Sequence, residues 1–347
     1  MNNLCTLARA PGGQMRGAAT QAPPNGFLIM EDLIRELLEG SVRALARVIT
    51  LAEKGDHRSF ELMEAIYPHT GKAYVVGITG APGTGKSTIT DTIAAVLRER
   101  EITVGIIAVD PSSPFTGGAL LGDRIRMQRS CLDPGVFIRS MATRGHLGGL
   151  ARTTSDVIKI LDAFGKDFII VETVGVGQDE VDIAKSADTT VLVLAPGLGD
   201  AIQNMKAGIM EIADVYAINK ADCEGVDQLF SDVKMRVDQD LHIRKDAWKV
   251  PVLRTAAVYD KGIAELFDAV ESHRRWLQES GRMQRARWEK TRHETLHLLK
   301  EEVTRSVLDR ILADRSFDTL IDDIVSRKKD PYTSVREIVR ALFPKHD

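Results

Sequence analysis

The chain has 347 residues, of which 44% are hydrophobic and 27% are charged, and its formal net charge is −3 at neutral pH. That length suffices for one large domain with flanking subdomains, and the nearly balanced charge carries no signature of nucleic-acid binding. No apolar run reaches the ~20 residues that a membrane-spanning helix needs, so we expect neither a nucleic-acid partner nor a membrane location.

The cysteines and histidines give no sign of a metal site or a disulfide framework. The three cysteines lie far apart, at Cys5, Cys131 and Cys223, and the eight histidines are equally dispersed. Thiols without a partner spacing are typical of proteins in a reducing compartment. The sequence therefore predicts a cytoplasmic protein.

The N-terminal part of the chain changes character at about residue 30. Residues 1–30 are rich in proline and glycine and contain no acidic residue, which predicts a disordered extension. A transit peptide and a true translation start at Met30 are the alternatives for this stretch. Apolar residues then recur at helical spacing, so residues 31–72 are expected to form an N-terminal helical segment.

Short apolar runs alternate with helical patterns through the middle of the chain. This alternation predicts an α/β fold over residues 73–270, with a doubly wound, mostly parallel sheet that binds ligands at the carboxyl ends of its strands. The predicted strands are 73–78, 104–109, 136–138, 168–171, 190–194, 215–218 and 252–254.

A glycine-rich turn follows the first of these strands and has the spacing G-x-x-x-x-G-K-S. In such a loop the backbone N–H groups point at phosphate oxygens, the lysine reaches the outer phosphates and the serine hydroxyl is placed to ligate Mg²⁺. The helix that follows adds the positive end of its dipole. We expect a nucleotide to be bound by Gly80, Ala81, Pro82, Gly83, Thr84, Gly85, Lys86, Ser87 and Thr88.

Acidic residues follow two other strands and are candidates for holding the metal with Ser87. Asp110 ends the second strand, and Asp123 precedes a helical pattern. Both can bind the metal or its water shell, although a helix N-cap explains Asp123 equally well. Glu172 ends the buried strand 168–171 in the position of a second magnesium-linked acid, and Gly175 lies where an amide can meet a terminal phosphate.

The strand 215–218 ends in Asn219-Lys220-Ala221-Asp222, an N-K-x-D arrangement. A carboxylate at Asp222 accepts hydrogen bonds from guanine N1–H and the exocyclic amine, whereas adenine offers no such pair of donors. The stem of Lys220 is expected to lie over the base, and Asn219 is expected to tie this loop to the phosphate loop. The motif therefore predicts GTP in preference to ATP.

A looser match follows the last predicted strand. Thr255, Ala256 and Ala257 fall where a backbone amide can meet guanine O6. A plain strand-end turn explains the same segment nearly as well, so both interpretations stay open.

Beyond residue 263 the chain reads as helical, and residues 271–347 are expected to form a C-terminal arm. One apolar stripe of this arm is expected to pack inside the molecule in preference to an interface. It consists of Leu296, Leu299, Val303, Val307 and Ile311. The neighbouring basic residues are expected to form a solvated helix face; they are Arg282, Arg285, Arg287, Lys290 and Arg292.

Six motifs are distinctive as a set and in their order: Ala108-Val-Asp-Pro-Ser-Ser, Leu121-Gly-Asp-Arg-Ile-Arg-Met, Arg144-Gly-His-Leu-Gly-Gly, Glu172-Thr-Val-Gly-Val-Gly-Gln, Pro196-Gly-Leu-Gly-Asp and Asn219-Lys-Ala-Asp. From about Leu33 to the C-terminus, the chain resembles the MeaB/ArgK family of P-loop GTPases, which includes proteins like the methylmalonic aciduria type A protein. The resemblance implies a GTP-dependent chaperone of adenosylcobalamin-dependent acyl-CoA mutases that gates cofactor loading and removal of damaged cofactor.

The resemblance also implies roles for particular residues. Asp110, Asp123 and Glu172 match the magnesium-linked acids of the family, and the C-terminal arm matches its dimerisation arm. The family has a third switch segment, which matches residues 196–208. The resemblance implies that this segment relays the presence of the partner to the nucleotide site through Asp200, Gln203 and Lys206. Where family members often read Asp-Glu-Leu-Gln in this switch, the chain reads Asp-Ala-Ile-Gln and lacks the second acid.

The residues and the resemblance together predict a slow GTPase that uses GTP, GDP and Mg²⁺ and is stimulated by a partner mutase. Two alternatives remain. The first is an ATP-dependent kinase, in line with an older arginine/ornithine transport reading of the family; Asn219 and Asp222 argue against ATP. The second is a metal-delivery GTPase, against which the lack of a histidine-rich or Cys-x-x-Cys handle argues. The identity of the mutase is not encoded in any motif.

Overall fold

A computed structural model describes residues 25–55, 57–110, 127, 129–142, 149–173, 186–197, 210–241, 248–313 and 316–342. The strands within them are β1 (Tyr74–Thr79), β2 (Val104–Asp110), β3 (Val136–Ala142), β4 (Phe168–Thr173), β5 (Thr189–Leu194), β6 (Val215–Ile218) and β7 (Val252–Arg254). These seven strands form one parallel sheet in the order β3-β2-β4-β1-β5-β6-β7. The predicted fold class is confirmed, and β3 runs on to Ala142 instead of ending at residue 138.

Helices cover both faces of this sheet. They are α1 (Asn25–Leu38), α2 (Val42–Ala52), α3 (His57–Ile66), α4 (Lys86–Glu99), α5 (Gly149–Ala163), α6 (Val226–Leu241), α7 (Ile263–Glu279), α8 (Arg282–Leu312), α9 (Ser316–Val325) and α10 (Pro331–Leu342). Every residue of β1, β4, β5 and β6 is buried. Burial on both faces explains why these strands read as unbroken apolar runs instead of alternating patterns.

Three apolar clusters hold the layers together. On one face α4 and α7 pack against the sheet, with Leu97 and Phe267 fully buried beside Phe168. On the other face α1, α2, α3 and α5 cover β1, β2 and β4, and α6 covers β5 and β6. The sheet is therefore fixed from both sides, which holds the loops at its edges in place.

The N-terminal helices begin earlier than the sequence indicates. The first helix starts at Asn25, whereas the sequence places the end of a disordered extension at residue 30. Leu37, Leu45 and Ile66 are fully buried, so this helical segment packs on the sheet domain as part of its core. None of the helices that the structure describes is long and apolar enough to cross a membrane.

The C-terminal helices differ from the expectation in two respects. The apolar stripe of α8 is not an internal core, because Leu296, Leu299 and Val303 are 50%, 56% and 46% exposed. The basic face of the same helix is not wholly solvated either. Arg287 and Lys290 donate hydrogen bonds to the residues that precede β1 and β5.

Candidate nucleotide-binding site

The sheet order brings the predicted site residues to one edge. β1 lies between β4 and β5, with Ile78 opposite Glu172 and Thr79 opposite Leu192. The phosphate loop leaves β1 directly after Thr79, so it lies between the carboxyl ends of these two neighbours. This is the position at which open parallel sheets bind ligands.

Two glycines of the phosphate loop are required by close contacts and by backbone conformation. Gly80 has φ of +142°, and a Cβ atom there would lie 2.1 Å from the carbonyl oxygen of Val193. Gly85 has φ of +93°, and its Cβ atom would lie 2.3 Å from Nδ2 of Asn219. Any side chain at either position would displace backbone or a buried polar group, so glycine is the residue that fits.

Lys86 lies inside the loop instead of reaching into solvent. Its ammonium donates to the carbonyl oxygens of Gly80 at 2.8 Å and Ala81 at 3.0 Å, and the residue is 6% exposed. The helix α4 starts at Lys86 itself. The positive charge and the N-terminal end of the helix dipole therefore converge on the cradle formed by the loop.

Ser87 and Glu172 are in direct contact. The Ser87 hydroxyl donates to Oε1 of Glu172 at 2.6 Å, and Glu172 is 7% exposed at the end of β4. A hydroxyl and a carboxylate are the oxygen ligands that Mg²⁺ prefers, so this pair fits a magnesium ion that accompanies a nucleotide. Within the part of the chain that the structure describes, no cluster of three or more His, Cys, Asp or Glu side chains forms a metal site.

Several predicted site residues lie outside the described part of the chain. The backbone of Asp110 ends β2 as expected. Its side chain and the whole of Asp123, Gly175, Asp200, Gln203 and Lys206 are not among the described atoms. Their assigned roles stay predictions from the sequence.

Asn219 links the base loop to the phosphate loop, as the sequence predicts. Its side-chain amide donates to the carbonyl of Thr84 at 2.8 Å. Its Oδ1 accepts from the hydroxyl of Thr255 at 3.1 Å and from the N–H of Ala257 at 3.2 Å. The residue is 4% exposed. One buried side chain therefore fixes three loops relative to one another.

The backbone amides of residues 255–257 all have acceptors within the protein. The N–H of Thr255 donates to Ile218 at 2.8 Å, and that of Ala256 donates to Lys261 at 2.9 Å. The N–H of Ala257 makes the longest of the three bonds, to Asn219. That acceptor is also bonded to the Thr255 hydroxyl, so the N–H of Ala257 shares its acceptor with a second donor. The contact of this segment with guanine O6 stays a prediction.

Lys220 and Asp222 lie in a turn at the surface. Lys220 has φ of +58°, and the N–H of Cys223 donates to its carbonyl at 2.9 Å. Both Lys220 and Asp222 are exposed, so their side chains are accessible to a base that enters this edge of the sheet. The described geometry is compatible with the roles predicted for them.

One buried contact of α4, the helix that follows the phosphate loop, was not identified from the sequence. Asp91 of α4 is 8% exposed and accepts hydrogen bonds from the N–H groups of Ser130 at 2.9 Å and Arg129 at 3.4 Å. Arg129 in turn pairs with Asp260 at 2.8 Å, directly after the helical turn Ala257–Tyr259. The sequence feature that could have indicated this contact is a carboxylate one helical turn after Ser87, on the buried side of an amphipathic helix.

Known proteins are similar in sequence to most of this chain. A protein named as a GTPase in Pyrococcus abyssi is 48% identical over 316 residues, which cover 91% of this chain and 97% of that protein. The GTPase ArgK of Escherichia coli is 34% identical over 320 residues, covering 90% and 95% of the two chains. The mitochondrial methylmalonic aciduria type A homolog of Mus musculus is 34% identical over 297 residues, covering 79% and 70%.

A solved structure and a family profile agree with these relatives. The crystal structure of the LAO/AO transport system kinase superposes with a TM-score of 0.65 at 28% identity, covering 91% of this chain and 98% of that one. The profile of the family described as methylmalonyl Co-A mutase-associated GTPase MeaB matches residues 45–312. The chain therefore belongs to the MeaB family of GTPases.

Proposed function

We propose that this protein binds and hydrolyses GTP in order to gate cofactor loading and reactivation of an adenosylcobalamin-dependent acyl-CoA mutase. The observation that carries the nucleotide part is the hydrogen bond between Asn219 and the Thr84 carbonyl, which joins a base loop to a phosphate loop. The description of the family as mutase-associated supports the partner. The proposed location is the cytoplasm.

The proposed mechanism assigns binding and orientation to residues of the chain. The backbone N–H groups of residues 80–88, apart from Pro82, which has none, and the ammonium of Lys86 bind the phosphates, after Lys86 leaves the carbonyls of Gly80 and Ala81. Ser87 and Glu172 would hold Mg²⁺. When bound, this ion neutralises charge that builds up on the phosphate oxygens. Asp222 selects guanine.

Hydrolysis by the protein alone is expected to be slow. No arginine finger is assigned within the chain, and G proteins that lack one run ~10³ to 10⁵ below their activated rates. We assign the response to the mutase to residues 196–208, in which Asp200, Gln203 and Lys206 supply polar contacts that differ between the free and bound states. The assignment is supported by the fact that this segment follows β5, whose Val193 carbonyl packs against Gly80 of the phosphate loop.

We further propose a division into an N-terminal extension, which the sequence ends at residue 30 and which the start of α1 shortens to residue 24, a helical segment to residue 72, a GTPase domain at 73–270 and an arm at 271–347. The arm is assigned to homodimerisation. The exposed stripe of Leu296, Leu299 and Val303 supports that role, because neighbouring exposed apolar side chains are a feature of interaction surfaces.

A kinase is the second candidate, because the superposed crystal structure is described as that of a transport system kinase. The two functions differ in their nucleotide and in the fate of the terminal phosphate. A kinase transfers the phosphate to an acceptor and generally uses ATP, whereas the proposed GTPase releases it to water. Incubation with labelled ATP or GTP, in the presence of arginine or ornithine, therefore separates the two by the labelled product.

The proposed function is tested by measuring GTP hydrolysis with and without a purified adenosylcobalamin-dependent acyl-CoA mutase. We expect the mutase to raise the rate at least tenfold in the wild-type protein. In the Lys206→Ala variant the intrinsic rate should stay within a few fold while most of the stimulation disappears. A mutase that leaves the wild-type rate unchanged counts against the partner, and intact stimulation in the variant counts against the switch.

A further inference from the structure

The long arm helix α8 is held against the sheet domain by charged side chains instead of an apolar core. Of its 31 residues only Met283 is buried. Successive helical residues are about 100° apart, which places the contacting residues along one side of the helix, roughly half a turn from the exposed apolar stripe. The contacting residues are Arg287, Lys290, Glu294 and Glu301.

Lys290 binds the segment that leads into β5. Its ammonium donates to Oδ1 of Asp188 at 2.9 Å and also to the carbonyls of Ala187 and Ser186. The side chain of Asp188 is only 6% exposed, and its other carboxylate oxygen accepts from the N–H of Val75 at 3.1 Å. Loss of Lys290 alone would therefore leave a buried carboxylate short of its closest cation, which is strongly destabilising.

Arg287 binds the segment that leads into β1. Its guanidinium donates to the carbonyls of Gly71 at 2.8 Å and Ala73 at 3.3 Å. The N–H groups of residues 71–73 donate in turn to the carboxylate of Asp162 in α5. The entrances to β1 and β5 and the start of α8 thus form one polar joint, defined by Arg287, Lys290, Asp188 and Asp162.

β1 and β5 connect this joint to the nucleotide site. The two strands pair directly, from Val76 opposite Thr189 to Thr79 opposite Leu192. β1 ends at the phosphate loop, where Gly80 is packed against the carbonyl of Val193 in β5. Six strand residues span about 20 Å, and a fully buried, hydrogen-bonded strand moves as a rigid element over that distance. The two strands thus form a continuous path of packed and hydrogen-bonded backbone from the phosphate loop to the joint.

We propose that Asp188 and Lys290 are positioning residues that couple the arm helix α8 to the occupancy of the nucleotide site through β1 and β5. The inference rests on the proposed binding of guanine nucleotides and adds the route by which that site and the arm affect each other. Coupling between two sites is reciprocal, so a change at the arm alters nucleotide affinity by the same factor with which nucleotide alters the arm.

Hydrogen–deuterium exchange of the full-length protein tests this coupling. Exchange is measured with GDP and with a non-hydrolysable GTP analogue in the wild type and in three variants. Lys290→Met removes the charge and keeps the aliphatic stem. The double variant Asp188→Asn/Lys290→Met removes both charges, so no unpaired carboxylate remains buried. Arg292→Met removes a cation from an exposed position on the same helix and is the matched control.

We expect the exchange rate of peptides from residues 287–301 to differ at least twofold between the two nucleotides in the wild type and in Arg292→Met. The difference should vanish in Lys290→Met and in the double variant. The double variant should unfold at a temperature closer to that of the wild type than Lys290→Met does, which separates loss of coupling from loss of stability.

Two results would overturn the coupling. One is a wild-type protein that binds GDP and the analogue but shows the same exchange in α8 with both. The other is a full nucleotide response in Lys290→Met and in the double variant. A wild-type protein that binds no guanine nucleotide contradicts the proposed function itself, and the inference with it.

Discussion

The side-chain amide of Asn219 donates a 2.8 Å hydrogen bond to the carbonyl of Thr84, 135 positions earlier in the chain. The other end of the same amide accepts from Thr255 and Ala257. A single residue therefore sets the distance between the loop that binds phosphates and the loops that read the base. Because the bonds form within the protein, this spacing exists before a nucleotide enters.

Replacing Asn219 by aspartate should separate these loops while it preserves size. The carboxylate keeps both acceptor positions but lacks the donor, and it faces the Thr84 carbonyl with a negative charge. We expect GDP to bind at least tenfold more weakly, about 1.4 kcal/mol, in isothermal titration. Asn219→Ala should lose more affinity, since it leaves three buried groups without a partner. Unchanged GDP affinity in both variants would show that the spacing does not depend on Asn219.

Replacing Asp222 by asparagine should change which base is bound. The side-chain amide introduced at position 222 presents an N–H donor to the exocyclic amine of guanine, which is also a donor. Xanthine has a carbonyl in place of that amine and can accept from the amide. Titration should show the wild type binding GDP at least ten times more tightly than ADP, and Asp222→Asn shifting preference toward xanthosine diphosphate. Glu224→Gln changes another exposed acid two residues away and should behave like the wild type. Equal wild-type affinity for GDP and ADP would contradict guanine selection.

Lys86 and Glu172 should be needed for hydrolysis in different ways. Lys86→Ala removes the cation from the phosphate cradle and should abolish turnover. Glu172→Ala removes the acceptor of the Ser87 hydroxyl, so hydrolysis should become weak and require much more Mg²⁺ for half of its maximal rate. Phosphate release measured across a magnesium titration distinguishes the two. A Glu172→Ala protein with the magnesium dependence of the wild type would remove this residue from the metal site.

The strands and the phosphate loop could be predicted because their signals are local. A buried parallel strand reads as an apolar run, and the glycines at 80 and 85 are required by positive φ and by contacts that leave no room for Cβ. The contact of Asn219 with Thr84 could also be inferred, since it belongs to a motif with a known geometry. The contact of Asp91 with Ser130 could not be inferred, because Ser130 lies 39 positions away and outside any motif.

The arm shows why the remaining features escaped prediction. Helical periodicity identifies the apolar and polar sides of α8, but it does not reveal which side faces the domain. The usual assumption puts apolar residues inside. Here the interior side is made of ion pairs such as Lys290 with Asp188, whose partners come from distant segments, and the apolar side is left exposed.

His273 lies at the opposite end of β5 from the nucleotide site and should stay neutral in mildly acidic solution. Its side chain is 3% exposed, and burial lowers its pKa to about 4. The Thr189 hydroxyl lies 2.7 Å from Nδ1 and is also bonded to Tyr74. If Tyr74 donates to Thr189 and Thr189 donates to Nδ1, the ring proton is on Nε2. Nitrogen-15 NMR should show this neutral tautomer down to about pH 5.

The same lowered pKa makes His273 a source of acid sensitivity. The unfolded chain takes up the proton on His273 near pH 6.5 and the folded chain only near pH 4. The contribution of His273 to the free energy of unfolding is therefore fully present above pH 6.5 and is lost as the pH falls toward 4. Burial raises the pKa of Asp214 to about 7, which acts in the opposite direction, but its side chain is 32% exposed, so contact with solvent reduces this effect. Urea unfolding should show His273→Asn losing less stability than the wild type between these pH values. An equal loss would contradict the assignment.

The exposed stripe of α8 should hold two copies of the chain together. Val303 is 46% exposed in the single chain, so a charge there should cost the monomer little, whereas burial of an unpaired carboxylate in an interface is strongly unfavourable. We expect the wild type to sediment as a dimer and Val303→Glu to dissociate at least tenfold more readily, about 1.4 kcal/mol. Thr304→Glu places the same charge on an exposed residue about 100° around the helix and should remain dimeric.

Sedimentation velocity over a range of concentrations measures the dimer dissociation of both variants, with the thermal unfolding midpoint as a check that each variant is folded. If Val303→Glu dimerises as tightly as Thr304→Glu, the stripe is not the interface.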